Sequence, residues 1–269
     1  MYTDFYKLNE SPFNITSDPS FFFGSLVHEE AFSNILYGII SRKGIIVMTG
    51  EIGTGKTTLC RALLNRLDPR VKTAFILNPS FSDIQLLQLI LRDLGIANHQ
   101  TENKLELTES LNAFLLDQSS QGNNVAIIID EAQNLNVKQL EEIRLLSNLE
   151  TEKHKLLQIL LVGQPELFDH LKLPELRQLN QRVTVRYHIT PLQPEDVKNY
   201  IQHRLKTAGS LSRIQFTQDA FLTVSMYSKG IPRLINIICD RALLAGFVKD
   251  SYTIDSDIIH QAAREVIST

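Results

Sequence analysis

The sequence predicts an α/β core, in three layers around a parallel sheet, followed by a small all-helical domain. Three observations carry this. Short apolar runs alternate with helical stretches through the first 190 residues. Four of those runs are nearly free of polar residues, as strands covered on both faces must be. Past residue 190 the strand-like runs stop and only helical periodicity continues.

The opening "MYTDFYKLNESPFNITSDPSFFFGS" is aromatic-rich and broken by Pro12 and Pro19, so it reads as a folded arm rather than a strand or a long helix. "HEEAFSNILYGIISR" then places Ala31, Ile35 and Ile39 at helical spacing, with Phe32 and Leu36 beside them. Strands are expected at "GIIVM" (44–48), "TAFIL" (73–77), "VAIII" (125–129), "LQILLV" (157–162) and "VTVRYHI" (183–189). Helices are expected between them at "KTTLCRALLNRL", "SDIQLLQLILRDLG" and "KQLEEIRLLSNL". This is the βαβ alternation of a parallel sheet with helices on its faces. The polar stretch "TENKLELTES" (101–110) reads as a solvent-facing connection into a helix around "LNAFLL". From residue 195 onward four helices are expected, at "DVKNYIQHRLKTAG", "TQDAFLTVSMYS", "IPRLINIICDRALLAGFV" and "DSDIIHQAAREVI", and no strand. The change near Pro191–Pro194 divides the chain into a core with its amino-terminal arm (1–190) and a helical domain (191–269).

Composition narrows the class. The 269 residues are 43% hydrophobic and 21% charged, enough to fill a large core. A net charge of −3 exerts no bulk attraction on nucleic acid or an anionic membrane. Cys60 and Cys239 stand far apart and in no metal spacing, which fits a reducing, cytoplasmic setting. The start lacks a signal-peptide pattern. No apolar run approaches the roughly 18 residues of a membrane helix, so the expectation is a soluble chain with no membrane insertion of its own.

Chemistry concentrates first at "GEIGTGKT", which fits G-x-x-x-x-G-K-[ST] with Gly50, Gly55, Lys56 and Thr57. Glycines let such a loop curl until backbone N–H groups face phosphate oxygens, and the following helix contributes its positive end. The expected ATP-binding stretch is Gly50, Glu51, Ile52, Gly53, Thr54, Gly55, Lys56, Thr57 and Thr58. Lys56 would reach the β- and γ-phosphates, and the Thr57 hydroxyl would ligate Mg²⁺. A glycine turn before a helix is the bland alternative, but here the motif sits between an expected strand and an expected helix, as a phosphate loop must.

"NVAIIIDEAQNL" is an apolar strand ending in two carboxylates. Asp130 at the strand tip would hold Mg²⁺, and Glu131 would polarise a water in line with the γ-phosphate. The alternative has Asp130 capping a turn and Glu131 solvated. Polar residues at two other strand tips are candidates, because open α/β sheets bind ligands there. Gln164 would contact the γ-phosphate or the attacking water, and Asn78 would hold Glu131 aside. Both precede a proline and also suit ordinary turns, so spacing leaves their roles open. Arg177, Arg182 and Arg186 lie before and within the last strand, and Arg233 opens a helix after a Gly-x-Pro turn. A solvated arginine is the default for the first three.

These segments together resemble AAA+ ATPases, specifically the general secretion pathway protein A (ExeA-like) family. The resemblance runs over nearly the whole chain. It is carried in order by "FYKLNESPFNITSDPSFFF", "HEEAFSNILYGI", "GEIGTGKTTLCRALL", "IIIDEAQNL", "IRLLSNLETEKHKLLQILLVGQPEL", "LRQLNQRVTVRYHITPL", "YIQHRL" and "GIPRLIN". It implies that Gly50 to Thr57 is the Walker A loop and Asp130–Glu131 the Walker B pair. It puts Gln164 at sensor 1, Arg233 at sensor 2, Arg182 at the arginine finger with Arg177 second, and Asn78 at a glutamate switch. It also implies an adenine pocket near Phe13, Tyr200, Ile201 and Ile231, and a helical lid from residue 191. Partners follow in the same way: a homo-oligomeric ring or dimer, acting on a bacterial envelope secretion or export complex. Many members continue into a membrane helix and a periplasmic peptidoglycan-binding domain, neither of which is in this sequence, so it reads as a short member or as the cytoplasmic part of a longer protein. A DNA-acting AAA+ ATPase of the transposition-regulator or initiator type is the alternative, weakened by the acidic balance and the lack of a basic tail. A nucleotide-gated scaffold is disfavoured by the intact Glu131.

The remaining polar candidates have plainer expectations. Cys60 is expected to be a small core residue. His28 and His154 are expected to be solvated or locally bonded, the alternative being contact with a neighbouring subunit.

Overall fold

The computed structural model describes residues 1–77, 79, 82–97, 100–152, 154–210 and 214–267. The chain separates into two compact units. One comprises Glu29–Glu51 and Ala62–Ile189, the other Met1–His28, Ile52–Arg61 and Thr190–Thr269. In chain order the helices that serve them are α1 (Tyr2–Tyr6), α2 (Leu26–Ile40), α3 (Lys56–Arg66), α4 (Asp83–Asp93), α5 (Lys104–Ser120), α6 (Val137–Leu146), α7 (Glu166–Leu171), α8 (Arg177–Arg182), α9 (Pro194–Thr207), α10 (Gln218–Ser228), α11 (Pro232–Val248) and α12 (Ser256–Ile267).

The first unit is built on five parallel strands, β1 (Ile45–Gly50), β2 (Val71–Ile76), β3 (Asn124–Ile129), β4 (Gln158–Gly163) and β5 (Val183–Ile189), in the order β2-β3-β4-β1-β5. All residues of β1, β3 and β4 are buried, which is why they read as uninterrupted apolar runs. Alternate residues point to opposite faces. Ile45 and Val47 of β1, Ile127 and Ile129 of β3, and Ile159 and Leu161 of β4 share a core with Leu86, Leu87, Ile90 and Leu91 of α4, Leu107, Leu111 and Leu115 of α5, and Leu140, Ile143 and Leu146 of α6. On the other face α2 lies so close to β1 that a Cβ at Gly38 would stand 2.6 Å from Ile46 Cδ1. Each side chain fully buried in such a layer contributes about 1.5–3 kcal/mol.

Three expectations need correction. β2 is not buried on both faces. It is an edge strand with Lys72 exposed and only Ala74 and Ile76 buried, so one flank meets water. The stretch 101–110 is not merely a connection. α5 begins at Lys104 behind an Asn103 cap, and Leu107 is already core. The part after residue 195 is not strand-free, because β6 (Gln215–Phe216) pairs in parallel with β7 (Thr253–Ile254).

Because the sheet is parallel, every strand delivers its carboxyl end to one edge. In register Thr49 faces Gly163, Gly50 faces Ile189, and Ile129 faces Leu161. The chain therefore leaves that edge at Gly50, at Asp130 and at Gln164, beside β1, where the strand order reverses. Such reversals are where open α/β sheets take ligands.

In the second unit α9 to α12 pack with the amino-terminal arm around Tyr6, Phe13, Phe21, Val197, Ile201, Val224, Ile235, Ile238, Leu243 and Ile259. The arm is fastened by Arg204 of α9, which is buried. Its Nε donates to Pro12 O (2.5 Å), Nη2 to Asn14 O (3.0 Å) and Nη1 to the Tyr200 hydroxyl (3.0 Å). The guanidinium also stacks over Phe21 at 4.6 Å. A planar fork suits this mixture of donors and ring contact, as an ammonium would not. Tyr2 adds a second tie, donating to Asp240. Burial and that contact push its phenol well above the usual range.

Candidate nucleotide site

The phosphate loop has the backbone its glycines imply. Gly53 and Gly55 lie at φ +82° and +95°, a region that side chains make costly. A Cβ at Gly53 would also stand 2.6 Å from Arg233 Cβ and 3.2 Å from Ile231 Cγ2. The Arg233 N–H donates to Gly53 O at 3.2 Å, so the first turn of α11 rests directly on the loop. Thr54 and Lys56 are buried, Gly53, Gly55, Thr57 and Thr58 half-buried, and Glu51 and Ile52 exposed. Lys56, Thr57 and Thr58 form the first turn of α3. The leading N–H groups of a helix have no intrahelical acceptor, and with the helix dipole they suit an anion.

His28 is a local contact of this loop. It is buried, with Nε2 2.9 Å from Thr54 O and Nδ1 2.7 Å from Ser25 Oγ. A carbonyl only accepts, so Nε2 carries the hydrogen and donates it. The sequence alone is compatible with two environments for His28. Its partner lies 26 residues away, and no local pattern marks the pair.

The carboxylate pair sits at the end of β3. Asp130 is 1% exposed, and its Oδ1 accepts the Glu131 N–H at 2.9 Å. Glu131 takes a left-handed conformation, φ 54° and ψ 38°, which few residues other than glycine adopt. Its Oε2 accepts from Gln133 Nε2 (2.5 Å) and from Gln164 Nε2 (3.4 Å). Glu131 and Gln164 are thus brought together, with Gln133 as a third member that the sequence did not single out. Asn78 lies outside the described residues.

The arginines separate. Arg233 is exposed at the start of α11, its stem over Gly53. Arg177 and Arg182 open and close α8 rather than flanking a bare strand. Arg182 Nη1 reaches Ser147 Oγ at 3.5 Å, and Arg186 on β5 donates to Asn180. Of the expected adenine neighbours, Phe13, Tyr200 and Ile201 belong to the second unit's core, whereas Ile231 lies against Gly53. Cys60 is buried.

Taken unit by unit, the donor types fit a magnesium nucleotide. Mg²⁺ takes hard oxygen ligands, such as the Thr57 hydroxyl of the second unit and the Asp130 carboxylate of the first. A basic side chain and a helix amino-terminus suit phosphate.

A family model described as AAA domain matches residues 39–171. General secretion pathway protein A of Aeromonas hydrophila is 44% identical over 266 residues, covering 99% of this chain and 48% of the relative, so the chain spans about half the length of that protein. Among solved structures, Cdc6p of Pyrobaculum aerophilum superimposes with a TM-score of 0.69 at 19% identity, covering 93% of this chain and 71% of that one. The ORC2 protein of Aeropyrum pernix, in ADPNP–ADP complexes, gives 0.65 at 16%, covering 88% and 66%. At such identities the two structures establish the fold alone: a P-loop core with a parallel sheet and a helical carboxyl-terminal part. The chain belongs to the AAA+ ATPase family and is a relative, over almost its entire length, of general secretion pathway protein A.

Proposed function

We propose that this chain binds ATP with Mg²⁺, hydrolyses it, and uses the cycle to change contacts between copies of itself during assembly or operation of a bacterial envelope secretion or export complex. The observation that supports it most is the phosphate loop, curled at Gly53 and Gly55 and running into the first turn of α3. The secretion role is supported by the Aeromonas relative.

In this reading Gly50 to Thr58 cradle the phosphates, and Lys56 places its charge on the β- and γ-phosphates. Asp130 and Thr57 would hold Mg²⁺, which would supply neutralisation of phosphate charge. Glu131 accepts a proton from the attacking water, whose oxygen forms the new bond to the γ-phosphorus as the bond to the ADP oxygen breaks. Gln164 orients that water or the γ-phosphate. Arg233 closes a helical lid, residues 191–269, over the triphosphate. Arg182 is delivered to the site of a neighbouring copy, with Arg177 the next candidate. The site of action is the cytoplasmic face of the membrane. Among the described residues no helix is long and apolar enough to cross a membrane.

The test is molar mass in solution with and without ATP and Mg²⁺, using the hydrolysis-blocked Glu131→Gln. The expected result is a dimer or ring with nucleotide and smaller species without it. A mass that ignores nucleotide contradicts the oligomer cycle. A net charge of −3 lends no support to a DNA-acting role, so duplex DNA at low salt should leave the ATPase rate unchanged.

A further inference from the structure

Glu131 and Gln164 do not meet by themselves. Both are tied to Gln133, on the one-turn 3-10 segment Ala132–Asn134 that follows β3. Gln133 Oε1 accepts the backbone N–H of Gln164 at 3.0 Å, and its Nε2 donates to Glu131 Oε2 at 2.5 Å. Gln164 Nε2 closes the circuit on the same carboxylate oxygen at 3.4 Å.

The orientation of the Gln133 amide follows from chemistry. A backbone N–H only donates, so the end of the amide facing Gln164 N must be the oxygen, and the NH₂ must face Glu131. The amide cannot turn over without losing both contacts. Its oxygen is also seated in a close gap, since a Cβ at Gly163 would come within 2.8 Å of it. The carboxylate of Glu131 is therefore referenced to the end of β4, a buried strand of the sheet, although the glutamate has three rotatable bonds of its own. Both amide contacts fall on Oε2.

We infer that Gln133 is a positioning residue, whose amide locks the Glu131 carboxylate to the Gln164 backbone so that the water-activating base and the γ-phosphate-facing glutamine keep one geometry. The inference rests on the ATPase reading. A displacement of about 1 Å at a reacting group costs on the order of 10²-fold in rate.

Gln133→Met keeps the length and volume of the side chain and removes the amide. Steady-state ATPase kinetics and equilibrium binding of a fluorescent ATP analogue would be measured on it, on wild type and on Glu131→Gln. The expected result is a kcat lower by roughly 10- to 100-fold, with KM and nucleotide affinity within about twofold of wild type. Adding Gln164→Ala to Gln133→Met should then cost less than the two single losses multiplied, because both act on one carboxylate. If Gln133→Met does not fold, Gly163→Ala tests the same contact, since its methyl group must displace the Gln133 amide. A wild type that does not hydrolyse ATP, or a Glu131→Gln as active as wild type, overturns the ATPase reading and this inference with it. An active wild type, an inactive Glu131→Gln and a Gln133→Met at the wild-type rate overturn the inference alone. So does a Gln133→Met faster than wild type, which would make the contact a restraint.

Discussion

Replacing Gly53 by alanine puts one methyl group at the junction of the phosphate loop and α11. Alanine at φ +82° carries a left-handed penalty of about 1–2 kcal/mol. Its Cβ would stand 2.6 Å from Arg233 Cβ, roughly 1 Å inside the usual carbon–carbon contact. Both carbons are fixed to backbone, so rotamer changes cannot relieve the clash, and either the loop or the start of α11 has to move. The hydrogen bond from Arg233 N to Gly53 O would go with it, at about 0.5–1.5 kcal/mol. Together these two terms come to about 1.5–3.5 kcal/mol against the observed loop. If nucleotide binding needs that loop, ATP affinity should fall by about one to two and a half orders of magnitude. Titration calorimetry of Gly53→Ala with ATP and Mg²⁺ measures this. Gly122→Ala is the control, with φ +76° and no neighbour within 4 Å, so it carries the conformational penalty without the clash and should bind ATP as wild type does. A Gly53→Ala Kd within twofold of wild type would refute the argument that this backbone cradles the phosphates.

Two further outcomes are expected. Arg233→Ala should narrow the difference between ATP and ADP affinity, measured by competition against a fluorescent nucleotide. Unchanged affinities with unchanged hydrolysis would remove Arg233 from the site. Mixing the inactive Arg182→Ala and Glu131→Gln proteins should restore part of the ATPase activity, because some sites then combine an intact Glu131 with an intact Arg182. An arginine finger contributes roughly 10³–10⁵ in rate in well-studied phosphoryl-transfer enzymes, so even a few such sites are detectable. No recovery in verified mixed oligomers would exclude delivery in trans.

The parts of the fold that the sequence reveals are those where burial is complete. β1, β3 and β4 lie inside the sheet and under helices, so selection for apolar side chains acts on every position and the runs stand out. β2 and β5 are edge strands, where only alternate positions are covered, and their sequences mix charge with apolar residues. The first turn of α5 was hidden because its buried positions begin only at Leu107, behind a polar cap and charged residues that face water. α7 and α8 have six residues each, too few for a periodicity to emerge. β6 and β7 have two each, and their parallel pairing depends on a crossover through the 36 residues 217–252.

At the site, residues fixed by a local motif were legible. The phosphate loop needs glycines at set spacing, and the carboxylates sit at a strand tip. Gln133 and His28 were not, because each acts on something distant in sequence. Gln133 meets Gln164 across 31 residues, brought close by the pairing of β3 with β4. His28 reaches Thr54 across 26. A glutamine after Asp-Glu-Ala, or a histidine at the start of a helix, carries no local signal of such a partner.

The central claim is that the phosphate loop holds ATP and Glu131 turns it over. Its most direct test measures ATP binding and ATP hydrolysis together on wild type, Lys56→Ala and Glu131→Gln, in Mg²⁺ and at a protein concentration that supports assembly. Wild type should bind and hydrolyse ATP, Lys56→Ala should do neither, and Glu131→Gln should bind without hydrolysing. A Glu131→Gln protein that hydrolyses ATP at the wild-type rate, or a Lys56→Ala protein that binds it as tightly as wild type, would contradict it.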